Sequence, residues 1–266
     1  MKKLEHLSDI YSLYDTFIID LWGVMHNGIK LNQEAIKTIE NLSINNKRIV
    51  FLSNAPRPAQ DVVKFLRKLK MKEKFLNNIL TSGEAAIKSL KNNKFGKKFF
   101  HIGPERDATL FKGLEENKTN INDAEFILCT GLFDENKNLN YYKNIFKNNF
   151  LKKFICTNPD LTVHRGDVEE YCAGKLAEIY SSFGGEVVYF GKPYKEIYDL
   201  IIRKGERNLI IGDNLNTDIK GANNLNIDCL FITNGVHRLE FKEVKILNLL
   251  KKYKVKINFF QKVFSW

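Results

Sequence analysis

The chain has no long hydrophobic run, few cysteines and few prolines, and each shortage narrows what it does. Without an apolar stretch approaching the length of a membrane span, no transmembrane helix is expected. The N-terminus passes from Met1-Lys2-Lys3 directly into Glu5, His6 and Asp9, so no secretory signal is expected either, and the predicted location is the cytoplasm. The four cysteines, Cys129, Cys156, Cys172 and Cys229, lie far apart with no CxxC pair and no histidine at ligand spacing. They read as free thiols, not as a zinc site or disulfide framework. With five prolines in 266 residues and no Pro/Ser-rich linker, low-complexity stretch or repeat, composition marks no domain boundary.

The chain is instead rich in lysine and asparagine. Lys and Arg number 42 against 31 Asp and Glu, giving a formal charge of +11. Such a charge attracts anions, but the lysines are spread over nearly every helix and form no single basic face. A small phosphorylated substrate is therefore expected as partner, not a nucleic acid or a membrane. With 44% hydrophobic and 27% charged residues, the composition is that of a folding globular chain.

Short β-branched and aromatic runs alternate with longer amphipathic segments, which predicts an α/β fold built on a parallel sheet covered by helices. Strands are predicted at 16–20, 48–53, 98–102, 125–130, 154–157, 186–190, 208–212 and 229–233. Helices are predicted at 32–45, 58–69, 83–90, 141–148, 173–182, 195–203, 217–225 and 242–252. The aromatic segment 255–266 is open between packing on the core and packing on a partner subunit.

Four predicted strands end in residues able to do chemistry. Phe17-Ile18-Ile19-Asp20 delivers a carboxylate to a strand's C-terminal end, where open α/β sheets bind ligands. Ile49-Val50-Phe51-Leu52 runs into Ser53-Asn54, whose hydroxyl and backbone N–H groups suit phosphate oxygens. Phe190-Gly191-Lys192-Pro193 fixes an ammonium before a helix. Leu209-Ile210-Ile211-Gly212-Asp213 is followed by Asp218, and two acids five residues apart offer the hard oxygen donors that suit Mg²⁺. Each also has an ordinary reading: Asp20 and Asp213 as turn formers, Ser53 and Asp218 as helix caps, Lys192 as a solvated cation.

The order Asp, Ser, Lys, Asp-Asp, each after an apolar strand, resembles the four-motif signature of the haloacid dehalogenase superfamily. The long interval between Ser53 and Lys192, and the phrase Cys156-Thr157-Asn158-Pro159-Asp160, resemble its IIA subfamily, the NagD-like and 4-nitrophenyl phosphatase-like hydrolases with a large α/β cap. The resemblance runs from about Asp15 to about Gly235. It implies a doubly wound core over residues 1–82 and 186–266, with an inserted α/β cap over 83–185. It also implies a phosphoric monoester hydrolase in which Asp20 is the nucleophile that becomes an aspartyl-phosphate. Mg²⁺ would be held by Asp20, the backbone carbonyl of Trp22, Asp213 and Asp218. Ser53 and Asn54 would bind phosphoryl oxygens, with Lys192 offsetting charge. Asn158, Asp160 and His164, with Arg165 beside them, would meet the leaving group from the cap. Members with this cap often pair through it, so a homodimer is implied as well.

One position departs from the pattern. Family phosphatases mostly carry a second Asp two residues after the nucleophile, as general acid and base, and this chain has Trp22 there. Such help is worth ~10²–10⁴-fold in rate. His26, in Val24-Met25-His26-Asn27-Gly28, is the nearest replacement. Two rival expectations follow: a phosphate-ester binding protein that has lost turnover, or phosphoryl transfer to an acceptor other than water.

Overall fold

The computed structural model describes residues 1–266. Along the chain the elements are β1 (Lys2–Lys3), β2 (Thr16–Ile19), α1 (Gln33–Ile44), β3 (Arg48–Ser53), α2 (Ala59–Lys68), β4 (Ile79–Thr81) and α3 (Ser82–Lys91). Then come β5 (Phe99–Ile102), β6 (Phe126–Cys129), α4 (Leu139–Lys147), β7 (Lys153–Cys156), β8 (Thr162–Arg165), β9 (Val168–Tyr171), α5 (Ala173–Ser182) and β10 (Val187–Tyr189). The last part holds α6 (Lys195–Tyr198), β11 (Asn208–Gly212), α7 (Lys220–Asn224), β12 (Asp228–Ile232), α8 (Arg238–Glu243), α9 (Ile246–Tyr253) and β13 (Phe259–Gln261). No helix is long and apolar enough to cross a membrane.

Seven parallel strands form the larger sheet in the order β1-β13-β12-β11-β2-β3-β4. Alternate side chains leave a strand on opposite faces, and the core divides accordingly. Phe17, Ile19, Ile49, Phe51, Leu209 and Ile211 pack under α1 and α2, while Ile18, Val50, Leu52 and Ile210 pack under α6, α7 and α9. Burial on both faces is why these strands read as unbroken apolar runs. The fold is thus the expected doubly wound α/β type.

A second parallel sheet, β10-β7-β6-β5, is covered on one face by α4 and α5 and on the other by α3 and the turn at Leu110–Phe111. β8 and β9 form a separate antiparallel hairpin. The buried apolar clusters of the two sheets share no residue, and polar groups link them. Arg57 Nε lies 3.0 Å from Asp107 Oδ1, and Asn54, Asn214 and Thr217 all donate to Asp160 Oδ1.

Three expectations need correction. Val187–Tyr189 pairs with Phe154–Cys156, so the chain leaves the smaller sheet only after residue 189, not at 186; a short apolar strand reads alike in either sheet. The helix predicted at 242–252 is two helices, broken at Val244 and Lys245, and the one at 195–203 ends at Tyr198. The 255–266 segment, which the sequence leaves open, packs on the core: β13 joins the large sheet, Phe264 is fully buried, and the Trp266 ring lies 4.8 Å from that of Tyr11.

His101 on β5 is buried against Phe111, with Nε2 3.0 Å from Thr130 Oγ1. Burial, helped by Lys118, pulls its pKa down to about 4. The unfolded chain takes up this proton near pH 6.5, before the folded one does, so stability is full above that pH and falls as pH drops toward 4. The share from His101 is about 3 kcal/mol at the acid end. Replacing His101 with Gln flattens the acid side of the stability profile; urea midpoints from pH 7 to 4 that fall as steeply as in the natural chain would contradict this.

Candidate active site

The chain runs outward from β2 through β3 to β4, then returns to β11 and continues to β12 and β13 on the other side. The strand order therefore reverses between β2 and β11, which is where open α/β sheets form their ligand crevice. Asp20 follows β2, Ser53 ends β3 and Asp213 follows β11, so three predicted site residues arrive at one edge through local strand structure alone.

The side chains converge. Lys192 Nζ donates to Asp20 Oδ1 at 2.5 Å, to Asp218 Oδ1 at 2.7 Å and to the Leu52 carbonyl at 3.0 Å. Carboxylate oxygens of Asp20, Asp213 and Asp218 lie within 4.8 Å of one another, and all three residues are buried. Asp213 Oδ2 accepts the Val236 N–H at 2.7 Å, and Asp218 Oδ2 accepts the Asn214 N–H at 3.1 Å. Gly23 (φ +91°) and Gly235 close around Asp213, since a Cβ on either would stand 2.0 Å from its Oδ2.

Electrostatically the cluster is unbalanced. Burial pushes the Asp20 carboxyl upward against the pull of Lys192, and burial with repulsion from Asp20 and Asp218 pushes Asp213 well above the carboxylate range. Burial alone would lower the Lys192 ammonium, yet Asp20, Asp218 and Asp160 outweigh it and hold the pKa well above the ordinary lysine value. One ammonium faces three buried carboxylates, and the excess negative charge fits a divalent cation with hard oxygen ligands.

The remaining predicted residues, Trp22, Ser53, Asn54, Asn158, Asp160 and His164, all line the cavity. Ser53 lines the cavity, with Oγ accepting the Ala55 N–H at 3.2 Å. Asn54 grips Lys192: its Oδ1 accepts the Lys192 N–H at 2.8 Å and its Nδ2 donates to the Lys192 carbonyl at 3.2 Å. Asn158 closes its own turn by accepting the Asp160 N–H at 3.1 Å. Asp160 fastens the smaller domain to the core through the three hydrogen bonds described above. His164 lines the cavity with Nδ1 buried and unpartnered. Trp22 donates its indole N–H to the His164 carbonyl at 2.9 Å.

His26 does not replace the missing acid. It is buried between Phe65 and Trp22, its Nδ1 accepts the Gly28 N–H at 3.1 Å, and it does not line the cavity. Burial, then Arg165, lowers its pKa to about 4, so near neutral pH it is a neutral imidazole, whose remaining N–H is too weakly acidic to protonate a leaving oxygen. Sequence reading also missed Arg57, Asp107 and Arg238, which line the cavity of about 1210 Å³ between the domains. Only the glycine after Asn234 hinted at the Val236 contact, through the need for room beside Asp213.

The chain is similar to known hydrolases. A family model described as haloacid dehalogenase-like hydrolase matches residues 17–115, and a second, HAD-hydrolase-like, matches 189–246, between them more than half of the chain. Phosphoglycolate phosphatase 2 of Arabidopsis thaliana is 26% identical over 87% of this chain and 86% of its own length. The ribonucleotide monophosphatase NagD of Escherichia coli K12 is 32% identical over 33% of this chain and 36% of its own. The crystal structure of a haloacid dehalogenase-like hydrolase from Brucella suis 1330 superposes with a TM-score of 0.87 at 29% identity, covering 98% of this chain and all of that one. The chain belongs to the haloacid dehalogenase-like hydrolases, in the NagD-like branch of phosphoric monoester hydrolases.

Proposed function

We propose that the chain is a Mg²⁺-dependent phosphatase acting on a small phosphorylated metabolite through an aspartyl-phosphate on Asp20. The observation that carries this reading is the meeting of Asp20, Asp213, Asp218 and Lys192 at the switch point of the sheet. Asp20 is the only one of the three acids placed directly after the central strand β2, facing the cavity.

In the first step an Asp20 carboxylate oxygen forms a bond to phosphorus while the bond from phosphorus to the ester oxygen breaks. Ser53 and the backbone around Asn54 hold phosphoryl oxygens, and Lys192 donates to Asp20 and offsets the charge that builds up beside it. Water then attacks the phosphorus, phosphate leaves and the carboxylate is restored. Asp20, the Trp22 carbonyl, Asp213 and Asp218 would hold a divalent cation, which would supply further neutralisation of phosphoryl charge. The indole of Trp22 has no acidic proton for the leaving oxygen, which takes its proton from water or from the substrate itself. Esters with stable leaving anions, such as aryl phosphates, therefore react faster than alkyl phosphates. Action in the cytoplasm and pairing of two copies through the cap complete this reading.

Phosphate release from 4-nitrophenyl phosphate, measured with Mg²⁺, with Mn²⁺ and after chelation, tests it. Release that needs the metal and returns on its re-addition is expected. No release under any of the three conditions would favour the rival in which Trp22 has silenced a phosphate-ester binding site.

A further inference from the structure

Asp213 and Asp218 stand at the two ends of one short segment, so the distance between their carboxylates depends on how the backbone between them is held. Asp213 follows β11, and Asp218 lies in the helical turn Leu215–Ile219. The first three N–H groups after Asp213 are all taken. Asn214 N–H donates to Asp218 Oδ2 at 3.1 Å and Asn216 N–H to Asn214 Oδ1 at 2.9 Å, both within the segment. The Leu215 N–H is met from outside, by His237 Nε2 at 3.1 Å. Leu215 is fully buried, and a buried N–H without an acceptor is costly.

An imidazole nitrogen that accepts an N–H carries no proton, so the ring proton of His237 sits on Nδ1. There it meets Glu240 Oε1 at 2.8 Å. Glu240 is held in turn by Lys252 and by Tyr253, whose hydroxyl donates to Oε1 at 2.8 Å. The Tyr253 ring also packs edge-on against the imidazole, with centroids 4.7 Å apart. Each link therefore orients the next, from α9 through Glu240 on α8 and His237 to the backbone between the two acids. The residue before His237 acts on the same segment, since Val236 N–H donates to Asp213 Oδ2 at 2.7 Å. His237 is buried and, unlike Val236, does not line the cavity. It reaches the site only through the backbone it caps.

We propose that His237 is a positioning residue for the cation: held by Glu240 with Nε2 free of a proton, it caps the Leu215 N–H and so sets the spacing of Asp213 and Asp218. The assignment rests on the Mg²⁺-dependent reading above and extends the site outward to α8 and α9, which supply no ligand of their own. Partners one step behind the ligands change metal affinity roughly 10–100-fold when they are removed.

Calorimetric titration of the full chain with Mg²⁺, in the absence of any ester, tests it. His237→Phe keeps a flat ring and loses the acceptor, and its Mg²⁺ affinity falls about tenfold. His237→Gln, whose Oε1 can stand where Nε2 does, stays within about threefold of the natural chain. Glu240→Leu leaves the imidazole but frees its proton to move to Nε2, and affinity falls in the same direction. Glu240 is partly exposed, so this variant decides the matter if His237→Phe does not fold. Amide exchange at Leu215, followed without metal, speeds up in His237→Phe and Glu240→Leu and not in His237→Gln. Affinity unchanged in the folded variants that lose the cap, or lost equally in His237→Gln, overturns the role of His237. So does lost affinity with the Leu215 amide as protected as before. A natural chain that takes up no Mg²⁺ strikes the metal-dependent reading, and this inference with it; that result is distinct from a natural chain and variants that all bind alike, which strikes His237 only.

Discussion

Asp20→Asn abolishes phosphate release, with kcat/KM falling on the order of 10⁴–10⁶-fold, as when other covalent catalysts lose their nucleophile. The carboxamide matches the carboxylate in shape, so the fold survives. Because burial already resists a negative charge at this position, the variant is expected to melt no lower than the natural protein. Quenched turnover mixtures examined by intact mass should show a phosphorylated chain for the natural protein and none for the variant. A variant that keeps more than a hundredth of the activity, or still becomes phosphorylated, would move the nucleophile elsewhere.

Lys192→Met has the second largest effect, and it falls on stability as well as rate. The methionine keeps most of the stem volume but removes the only ammonium bonded to Asp20 and Asp218, both buried. Breaking a buried pair from one side costs about 3–5 kcal/mol because the remaining charges lose their compensation. For a chain of this size that is a fall in Tm on the order of 10 °C. Turnover falls about 10²–10³-fold with the loss of a fixed positive charge at the reacting centre. Mg²⁺ should raise the Tm of the variant more than that of the natural protein, since three carboxylates then lack any other cation. Thermal melts with and without Mg²⁺ that show equal increments would mean that the cation does not sit among these acids.

Much of this site was legible in the sequence because it is assembled from local events. β2, β3 and β11 are apolar runs buried on both faces, each ending where a polar residue appears, and adjacent parallel strands bring those ends together without further instruction. Lys192 is different in kind: its motif could be read, but its partners Asp20 and Asp218 are set by packing across the sheet. What was not legible depends on contacts distant in the chain. The hairpin 162–171 mixes polar and apolar residues without clean alternation, and its main anchor, Trp22, lies 142 residues away from His164. Val187–Tyr189 carries no mark of which sheet it joins. Asp160, expected to meet the leaving group, lines the cavity, but that its Oδ1 also accepts from Asn54, Asn214 and Thr217 of the other domain could not be read from the sequence.

The order of strands in the large sheet has a consequence for synthesis on the ribosome. β2 finds its neighbour β3 almost at once, but its other neighbour, β11, begins at Asn208, and β1 waits for β13 at Phe259. Between these events the chain from Ser82 to Tyr189 emerges as one continuous segment with its own apolar clusters, so it can fold while the larger sheet is still half built. During that interval the edge of β2 is exposed beside Asp20, with every backbone group on that side unpaired and open to pairing with another chain. The nascent chain is therefore most prone to association between the emergence of residue 20 and that of residue 212, and arrest of translation within that window should yield the species most dependent on chaperones.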